Sequence, residues 1–383
     1  MLLAARRVLT PSGLADGGWV ETDGALLGAC GAGAPPRQPD ETFDGVLSPG
    51  FVDVHSHGGG GANFGADPEA ARTVLATHAR AGTTTMLASL VTGALPDMVA
   101  AVRALTPLVE AGELAGLHLE GPWLAAAYKG AHDPALLRDP GLDEVVALVE
   151  AGRPLVEPVE TKDRPRSSVR LVTIAPERPG ALAAIGYLAG EGIMAAVGHT
   201  GADDATARAA VAAGARGATH LFNAMPELRH RDPGPALALW SEPDVWVELV
   251  CDGVHVAADL VAHVMATKPD RCVLITDAMA AAGASDGDYR LGELDVEVRD
   301  GVARLAGTDT IAGSTLTLSR AVRTAVGAGV PLELALAAAT SHPADYLGLA
   351  GVGRLVPGNA ADLVVLDDAL AVVRVMRHGA WLD

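Results

Sequence analysis

From Gly50 onward, short apolar runs alternate with alanine-rich segments, and this alternation predicts a series of β-strands and α-helices. Segments such as DPEAARTVLATHARAG and DDATARAAVAAGARG begin with Asp and end with Gly, which is typical of helix boundaries. Eight runs are apolar enough for strands that are buried on both faces: FVDVH (51–55), TTTMLASL (83–90), GLHLEG (116–121), VRLVTIAPE (169–177), MAAVGHT (194–200), GATHLFNAM (217–225), VWVELVCDGVH (245–255) and RCVLITDAM (271–279). Eight β-then-α units in series predict an α/β fold, the (β/α)8 TIM barrel.

The two ends of the chain have a different pattern, that of short strands and tight turns. Residues 1–48 contain GGWVETDGALLGACG, and residues 353–383 contain short apolar runs around GNAADLVVLDDALAVV. We expect residues 1–48 and 353–383 to form one small β-sandwich domain beside a barrel of residues 49–352. Within the last βα connection, residues 289–306 give a further strand–Asp-Gly–strand signal.

Composition excludes several classes of partner. The chain has 383 residues and a formal net charge of −19, which disfavours binding to nucleic acid or to an anionic membrane. Aromatic residues make up only 3%, so few side chains are available to stack on bases. No apolar stretch is long enough for a membrane span, and the first residues are a poor secretory signal. Three widely spaced cysteines fit neither a disulfide framework nor a zinc knuckle, and we expect a cytoplasmic protein.

Residues with metal-ligand or acid–base chemistry follow most of the predicted strands. TIM-barrel enzymes carry their active sites at the carboxyl ends of the strands, so these side chains should meet at one mouth. They are His55 and His57 after the first strand, Glu120 after the third, His199 after the fifth, His220 after the sixth, Asp252 and His255 after the seventh, and Asp277 after the eighth.

Each residue also has a structural interpretation on its own. A single His at a strand end is more often solvated or capping than a ligand, Asp277 fits a helix N-cap, and Glu120 fits a turn. The joint pattern favours a metal site, because capping does not explain ligand chemistry at the same end of six strands. Histidine and carboxylate without nearby Cys suit Zn²⁺ or a similar divalent ion in an open catalytic site. Asp277 is the candidate base for the attacking water.

The motifs resemble those of the amidohydrolase superfamily, and within it the N-acetylglucosamine-6-phosphate deacetylase family. The resemblance extends from PGFVDVHSH to PGNAADLVVLD, and it is carried by HLEGPW, KGAH (129–132), VGHT, THLFNAM, DGVH, TDAM and AGS (312–314). It implies metal-dependent hydrolysis of N-acetylglucosamine 6-phosphate to glucosamine 6-phosphate and acetate, in amino-sugar catabolism or cell-wall recycling. The loop LAAAYKGAH departs from the Asn/Pro-rich start of many members, which puts substrate contacts from residues 124–128 in doubt.

The resemblance also implies a role for each matching residue. Glu120, His199 and His220 bind the principal metal, and Asp277 and His132 are catalytic. The implied homodimer places Arg231 and His255 across the interface in the neighbouring site. The implied substrate-binding residues are Ala131, His132, Asn223, Ala224, Arg231, Asp252, His255, Ile311, Ala312 and Gly313.

Several alternatives stay open from the sequence. His55 and His57 either bind a second metal, with Glu120 as a bridge, or are a vestigial pair beside a single metal; we expect two metals. The ion is expected to be Zn²⁺, while Fe, Co and Mn accept the same ligands. Another amidohydrolase activity, such as that of a D-aminoacylase or a cyclic amidase, would share the metal ligands. A non-enzymatic barrel is disfavoured because every ligand position is filled.

Overall fold

A computed structural model of the chain describes residues 1–154 and 166–382; residues 155–165 and 383, which fall within the predicted barrel and β-domain, lie outside the described residues. In this part of the chain the strands are β1 (Leu2–Thr10), β2 (Gly13–Asp23), β3 (Leu26–Ala32), β4 (Glu41–Pro49), β5 (Phe51–Asp53), β6 (Gly58–Gly59), β7 (Ala62–Asn63), β8 (Thr83–Val91), β9 (Gly116–Glu120), β10 (Val169–Ile174), β11 (Met194–Val197), β12 (Gly217–Ala218), β13 (Trp246–Val250), β14 (Cys272–Ile275), β15 (Gly287–Leu291), β16 (Leu294–Arg299), β17 (Val302–Leu305), β18 (Leu363–Leu366), β19 (Val372–Arg377) and β20 (Ala380–Trp381).

Eight of these strands form the predicted barrel. They lie side by side in chain order, from β5 through β8 to β14, and every pair is parallel. Just beyond the edge strands β5 and β14, Ser56 forms a parallel bridge with Ala278, which joins the two edges at their carboxyl ends. Strand residues such as Leu117, Val172 and Leu274 are fully buried, as expected for strands covered on both faces. The predicted (β/α)8 barrel and all eight of its strands are confirmed.

Helices follow most barrel strands. They are α1 (Pro68–Arg80), α2 (Leu95–Glu110), α3 (Leu142–Ala151), α4 (Ala181–Gly190), α5 (Asp204–Ala213), α6 (Gly234–Ser241), α7 (Ala258–Thr267), α8 (Leu318–Gly327), α9 (Leu332–Ala338) and α10 (Ser341–Leu347), with single 3₁₀ turns at Ala126–Tyr128 and Pro269–Arg271. Asp67 and Asp203 accept backbone N–H bonds at the starts of α1 and α5, as the sequence predicts. Among the described residues, no helix is long and apolar enough to span a membrane.

The two chain ends form a second sheet beside the barrel. Its seven strands run in the order β20-β19-β18-β4-β1-β2-β3, and the pairing of β18 with β4 joins the C-terminal segment to the N-terminal one. Leu3, Val20, Leu47, Leu363 and Met376 share a hydrophobic core on this sheet. The predicted β-domain formed by both ends is therefore confirmed.

The predicted insertion in the last βα connection is a three-stranded antiparallel sheet, β15-β16-β17. Asp300 and Gly301 both have positive φ, at 52° and 72°, which suits the tight turn between β16 and β17. Leu291 and Val296 pack on Met279 and Ala312 beside the barrel mouth. This packing brings the insertion to the rim of the site described next.

Candidate active site

Three of the predicted site residues lie at points where the backbone turns sharply after a barrel strand. His199, His220 and Asp277 have positive φ values of 48°, 27° and 48°. This left-handed region is unfavourable for residues with a Cβ, and such strain concentrates at functional sites. All three side chains line the cavity at the barrel mouth, so the turn presents them to it.

The side chains predicted as ligands converge on Glu120, the last residue of β9. Glu120 Oε1 lies 3.1 Å from Nε2 of both His199 and His220, and Oε2 lies 3.1 Å from His57 Nε2. His55 Nε2 lies 3.5 Å from Glu120 Oε1 and 3.2 Å from His57 Nε2. The structure thus brings histidines that follow the first, fifth and sixth barrel strands around the carboxylate of Glu120.

Asp277 completes the cluster from the end of β14. Its Oδ1 lies 3.3 Å from His57 Nε2 and 3.6 Å from His55 Nε2. Two neighbouring groups meet the spacing needed to hold an ion: one contains His55, His57 and Asp277, and the other contains Glu120, His132 and His199. His220 Nε2 lies 3.0 Å from His199 Nε2 and extends the second group.

These spacings fit divalent cations. For metal–ligand bonds of 2.0–2.1 Å, the edge of a tetrahedron is about 3.3–3.4 Å, and the contacts of 3.0–3.6 Å around Glu120 fall near that value. The Nε2 atoms of His199 and His220 face each other at 3.0 Å, and this arrangement is most stable when both lone pairs face one shared cation. The donor set of histidines and carboxylates therefore accommodates a metal on either side of Glu120.

The pKa shifts of the clustered side chains also favour a bound cation. Burial raises the pKa of Glu120, but the neighbouring histidines, His55 foremost, hold it well below its usual range. Burial likewise opposes ionisation of Asp277, and contact with His57 holds its pKa below the usual range. Burial lowers the pKa of His57, but its hydrogen bonds to Asp277 and Glu120 raise it to about 9. The carboxylates of Glu120 and Asp277 thus favour a positive charge beside them. A divalent ion supplies this charge when it binds and displaces the histidine protons.

In three of the four histidines, His55, His57 and His199, the other ring nitrogen is held in place by a hydrogen-bond partner. His57 Nδ1 lies 3.2 Å from the carbonyl oxygen of Ser89, and His199 Nδ1 lies 2.9 Å from that of Tyr128. His55 Nδ1 instead lies 3.1 Å from the buried carboxylate of Glu248. Such contacts fix the proton on Nδ1 and leave Nε2 free to bind a metal.

A cavity of about 390 Å³ opens above the cluster, within the usual size range of small-molecule sites. Its lining includes most of the predicted substrate-binding residues, namely Ala131, His132, Asn223, Ala224, His255, Ile311 and Gly313. A larger surface cavity of about 530 Å³, beside Trp240 and Arg271, lacks this ligand set.

Three predicted substrate-binding residues lie away from the cavity lining. Ala312 is fully buried in the core under the insertion, and Asp252 bonds to His255, with Oδ2 2.7 Å from Nδ1. Arg231 is exposed on the loop before α6. Asp252 therefore acts on the cavity through His255, and Arg231 has no place in the cavity of its own chain.

Sequence reasoning missed several residues that line the cavity. Val91 ends β8, Tyr128 lies in the 3₁₀ turn after β9, and Leu291 and Thr310 come from the insertion and the loop after it. None carries a carboxylate, imidazole or thiol, and only the folded chain brings the insertion to the mouth. The strand–Asp-Gly–strand signal at residues 289–306 was the sequence feature that pointed to this insertion.

A parallel barrel with this cluster at its mouth defines the class as that of metal-dependent hydrolases, and the comparison with protein families agrees. The amidohydrolase family matches residues 46–382, and the chain belongs to that family. An N-acetylgalactosamine-6-phosphate deacetylase of Escherichia coli O157:H7 is 35% identical over 386 residues, covering 99% of this chain and 98% of the relative. The N-acetylglucosamine-6-phosphate deacetylase of Homo sapiens is 38% identical over 344 residues, covering 85% of this chain and 81% of the relative.

Solved structures give the same result. An N-acetyl-D-glucosamine-6-phosphate deacetylase from Mycobacterium smegmatis, solved as a mutant in complex with N-acetyl-D-glucosamine-6-phosphate, shares 49% identity and a TM-score of 0.94. The match covers 100% of this chain and 98% of that one. The resemblance inferred from the motifs is confirmed.

Proposed function

We propose that the chain hydrolyses the N-acetyl group of N-acetylglucosamine 6-phosphate, giving glucosamine 6-phosphate and acetate. The observation that carries the proposal is the cluster around Glu120 and Asp277 at the floor of a cavity of sugar-phosphate size. The names of the relatives, each more than 30% identical, support the substrate class. The reaction belongs to amino-sugar catabolism, which is consistent with the proposed cytoplasmic location.

Two divalent ions, proposed to be Zn²⁺, fit the ligand set. Glu120, His199 and His220 would hold the first, and His55 and His57 would hold the second, with Glu120 shared between them. When bound, such ions lower the pKa of water and polarise a carbonyl group. Fe, Co and Mn accept the same ligands, so the donor atoms support a divalent ion more strongly than they support any one element.

Asp277 supplies the proton transfers. Its pKa is held below the usual range, so the side chain is ionised and able to accept the proton of the attacking water. Addition of that water to the acetyl carbonyl breaks the C=O π bond. The C=O π bond then re-forms as the C–N bond breaks, and Asp277 returns the proton to the amide nitrogen, because an amine anion is too poor a leaving group. The products are acetate and the free amino sugar.

His132 is placed to stabilise the carbonyl oxygen during this step. The backbone N–H of Thr92 donates to His132 Nδ1 at 3.4 Å, and the Thr92 hydroxyl lies 2.9 Å from the same atom. When Nδ1 accepts these bonds, the ring proton lies on Nε2. His132 lines the cavity, and an Nε2–H of this ring is suited to donate to the developing oxyanion.

The phosphate end of the substrate is proposed to lie at Asn223, Ala224 and His255, at the other end of the cavity lining. Asp252 accepts from His255 Nδ1, which leaves Nε2 of that ring for the phosphate. A dianion needs more positive charge than His255 gives. The exposed Arg231 would supply it across a homodimer interface, to the cavity of the neighbouring subunit.

A substrate panel tests the proposal. Acetate release is measured with N-acetylglucosamine 6-phosphate, its galactosamine epimer and unphosphorylated N-acetylglucosamine, and hydrolysis of N-acyl-D-amino acids and cyclic amides is measured alongside. The epimer is included because one relative of near-equal length is named for it. Fast release from the first substrate supports the proposal. Activity confined to N-acyl-D-amino acids or cyclic amides would favour another amidohydrolase and refute it.

A further inference from the structure

Glu248 is a buried carboxylate that the mechanism above does not use. It lies in the middle of β13 and is fully inaccessible to solvent. Three groups surround its oxygens: His55 Nδ1 at 3.1 Å and the backbone N–H of His220 at 3.4 Å, both at Oε2, and the Tyr346 hydroxyl at 3.1 Å, at Oε1. A carboxyl group buried this deeply needs hydrogen-bond donors in place of water, and these three protein groups are placed to supply them.

His55 differs from the other proposed ligands in having a carboxylate behind it. His57 and His199 bond to main-chain carbonyl oxygens through Nδ1, and His220 Nδ1 has no hydrogen-bond partner among the described residues. A carboxylate is a stronger acceptor than a carbonyl oxygen, and it raises the basicity of the opposite ring nitrogen. His55 Nε2 is thus the best electron donor of the set.

The contact with Tyr346 requires a gap in the barrel wall. Tyr346 comes from α10, which lies outside the barrel strands, and its hydroxyl passes Gly217 of β12. A Cβ on Gly217 would lie 2.1 Å from that hydroxyl oxygen, so only glycine leaves room for it. The position is therefore built to let a phenol from the helical layer hold a carboxylate inside the barrel.

We propose that Glu248 is a positioning residue for His55: it holds the proton on Nδ1 and directs Nε2 to the second metal, with Tyr346 fixing the carboxylate from behind. The inference rests on the proposed two-metal site and extends it by assigning one residue to the affinity of the second ion. Affinity at the His55–His57 side should then depend on Glu248. The His199–His220 side should not, because His199 Nδ1 contacts a main-chain carbonyl oxygen and Glu248 contacts His220 at its backbone N–H, 3.4 Å away, rather than at its ring.

The test compares Glu248→Gln with wild type in the full-length protein. Gln keeps the size of the side chain but replaces one acceptor oxygen by a donor. Thr173→Val is the matched control, because Thr173 is equally buried in the barrel and bonds His118 and Thr219 rather than a proposed ligand. The zinc-loaded proteins are titrated with a competing chelator, and the two dissociation constants are determined separately.

Glu248→Gln should weaken the more easily released zinc by about 10–100-fold while the other zinc is held as in wild type. Thr173→Val should leave both constants unchanged. Unchanged constants in Glu248→Gln, or an equal loss in both variants, would overturn the proposal.

A second measurement keeps the inference testable apart from metal stoichiometry. A hydrogen-bonded Nδ1–H of His55 should give a far-downfield proton NMR signal, assigned by its loss in His55→Gln. The signal should move in Tyr346→Phe, which removes a donor from Glu248, and should stay in Thr173→Val. If wild type holds a single zinc, the two-metal proposal fails, and the NMR signal alone tests the role of Glu248. The same signal is the test if Glu248→Gln does not fold. No downfield signal, or one insensitive to Tyr346→Phe, would overturn the role of Glu248.

Discussion

Asp277→Asn isolates proton transfer from metal binding. The Asp277 side chain is 11% exposed at the mouth, with Oδ1 3.3 Å from His57 Nε2. Asn has the same shape and keeps an oxygen for a metal, but it accepts no proton. The variant should therefore retain its metal and bind substrate, while the step that needs a base becomes slow.

The size of the effect follows from the two roles assigned to this carboxylate. General acid–base catalysis contributes about 10²–10⁴-fold, and a tenfold change corresponds to about 1.4 kcal/mol, so the barrier should rise by about 3–5 kcal/mol. The loss should appear in kcat rather than in KM, because Asp277 acts on the attacking water and the leaving nitrogen. Acetate release under saturating phosphosugar, with metal content determined on the same sample, measures both quantities.

Glu177→Gln is the matched control for this prediction. Glu177 follows β10 at the same end of the barrel, and its carboxylate bonds to the Thr200 hydroxyl and the Gly201 N–H instead of lining the cavity. Its turnover should stay within about threefold of wild type, as is usual for changes away from the reacting groups. Turnover of Asp277→Asn within tenfold of wild type, with metal retained, would refute the assigned role.

Further predictions concern the metals, the phosphate and the stability of the barrel. Chelation should abolish acetate release and lower the melting temperature by several degrees, because ions that bind only the native state stabilise it; added Zn²⁺ should restore both. His57→Gln should reduce bound metal by about one ion per chain, as measured by elemental analysis, and an unchanged content would make the pair vestigial. His255→Asn should raise KM for the phosphosugar by about 10–100-fold, as expected for a lost hydrogen bond to a charged group, and should leave the weak activity on the unphosphorylated sugar unchanged. Burial lowers the pKa of His342, so the native state holds it neutral. The free energy of unfolding should therefore fall below about pH 6.5, and urea unfolding should show a smaller fall in His342→Asn.

The fold was predictable because two simple signals agree along most of the chain. Runs such as VRLVTI are apolar at consecutive positions, as parallel strands buried on both faces require, and Asp–Gly punctuation separates them from the helices. The ligand set was predictable for a related reason. In a parallel barrel the carboxyl ends of the strands share one mouth, so polar residues that are far apart in sequence become neighbours.

Other features depend on contacts that no local pattern encodes. Glu248 stands inside an apolar strand, and only the folded barrel shows that it faces His55, which follows β5. Leu291 reaches the mouth because the insertion folds back over Met279. Arg231 is exposed on a loop of its own chain, and the role that the motif implies for it, in the neighbouring subunit's site, depends on a second chain.

The most direct test of the account is acetate release from N-acetylglucosamine 6-phosphate and from unphosphorylated N-acetylglucosamine, with metal content measured on the same preparation. The account predicts rapid release from the phosphosugar, little from the unphosphorylated sugar, and about two divalent ions per chain. Activity with a single ion would keep the reaction and remove the second metal. Absence of release from both sugars by metal-loaded protein would contradict the central claim.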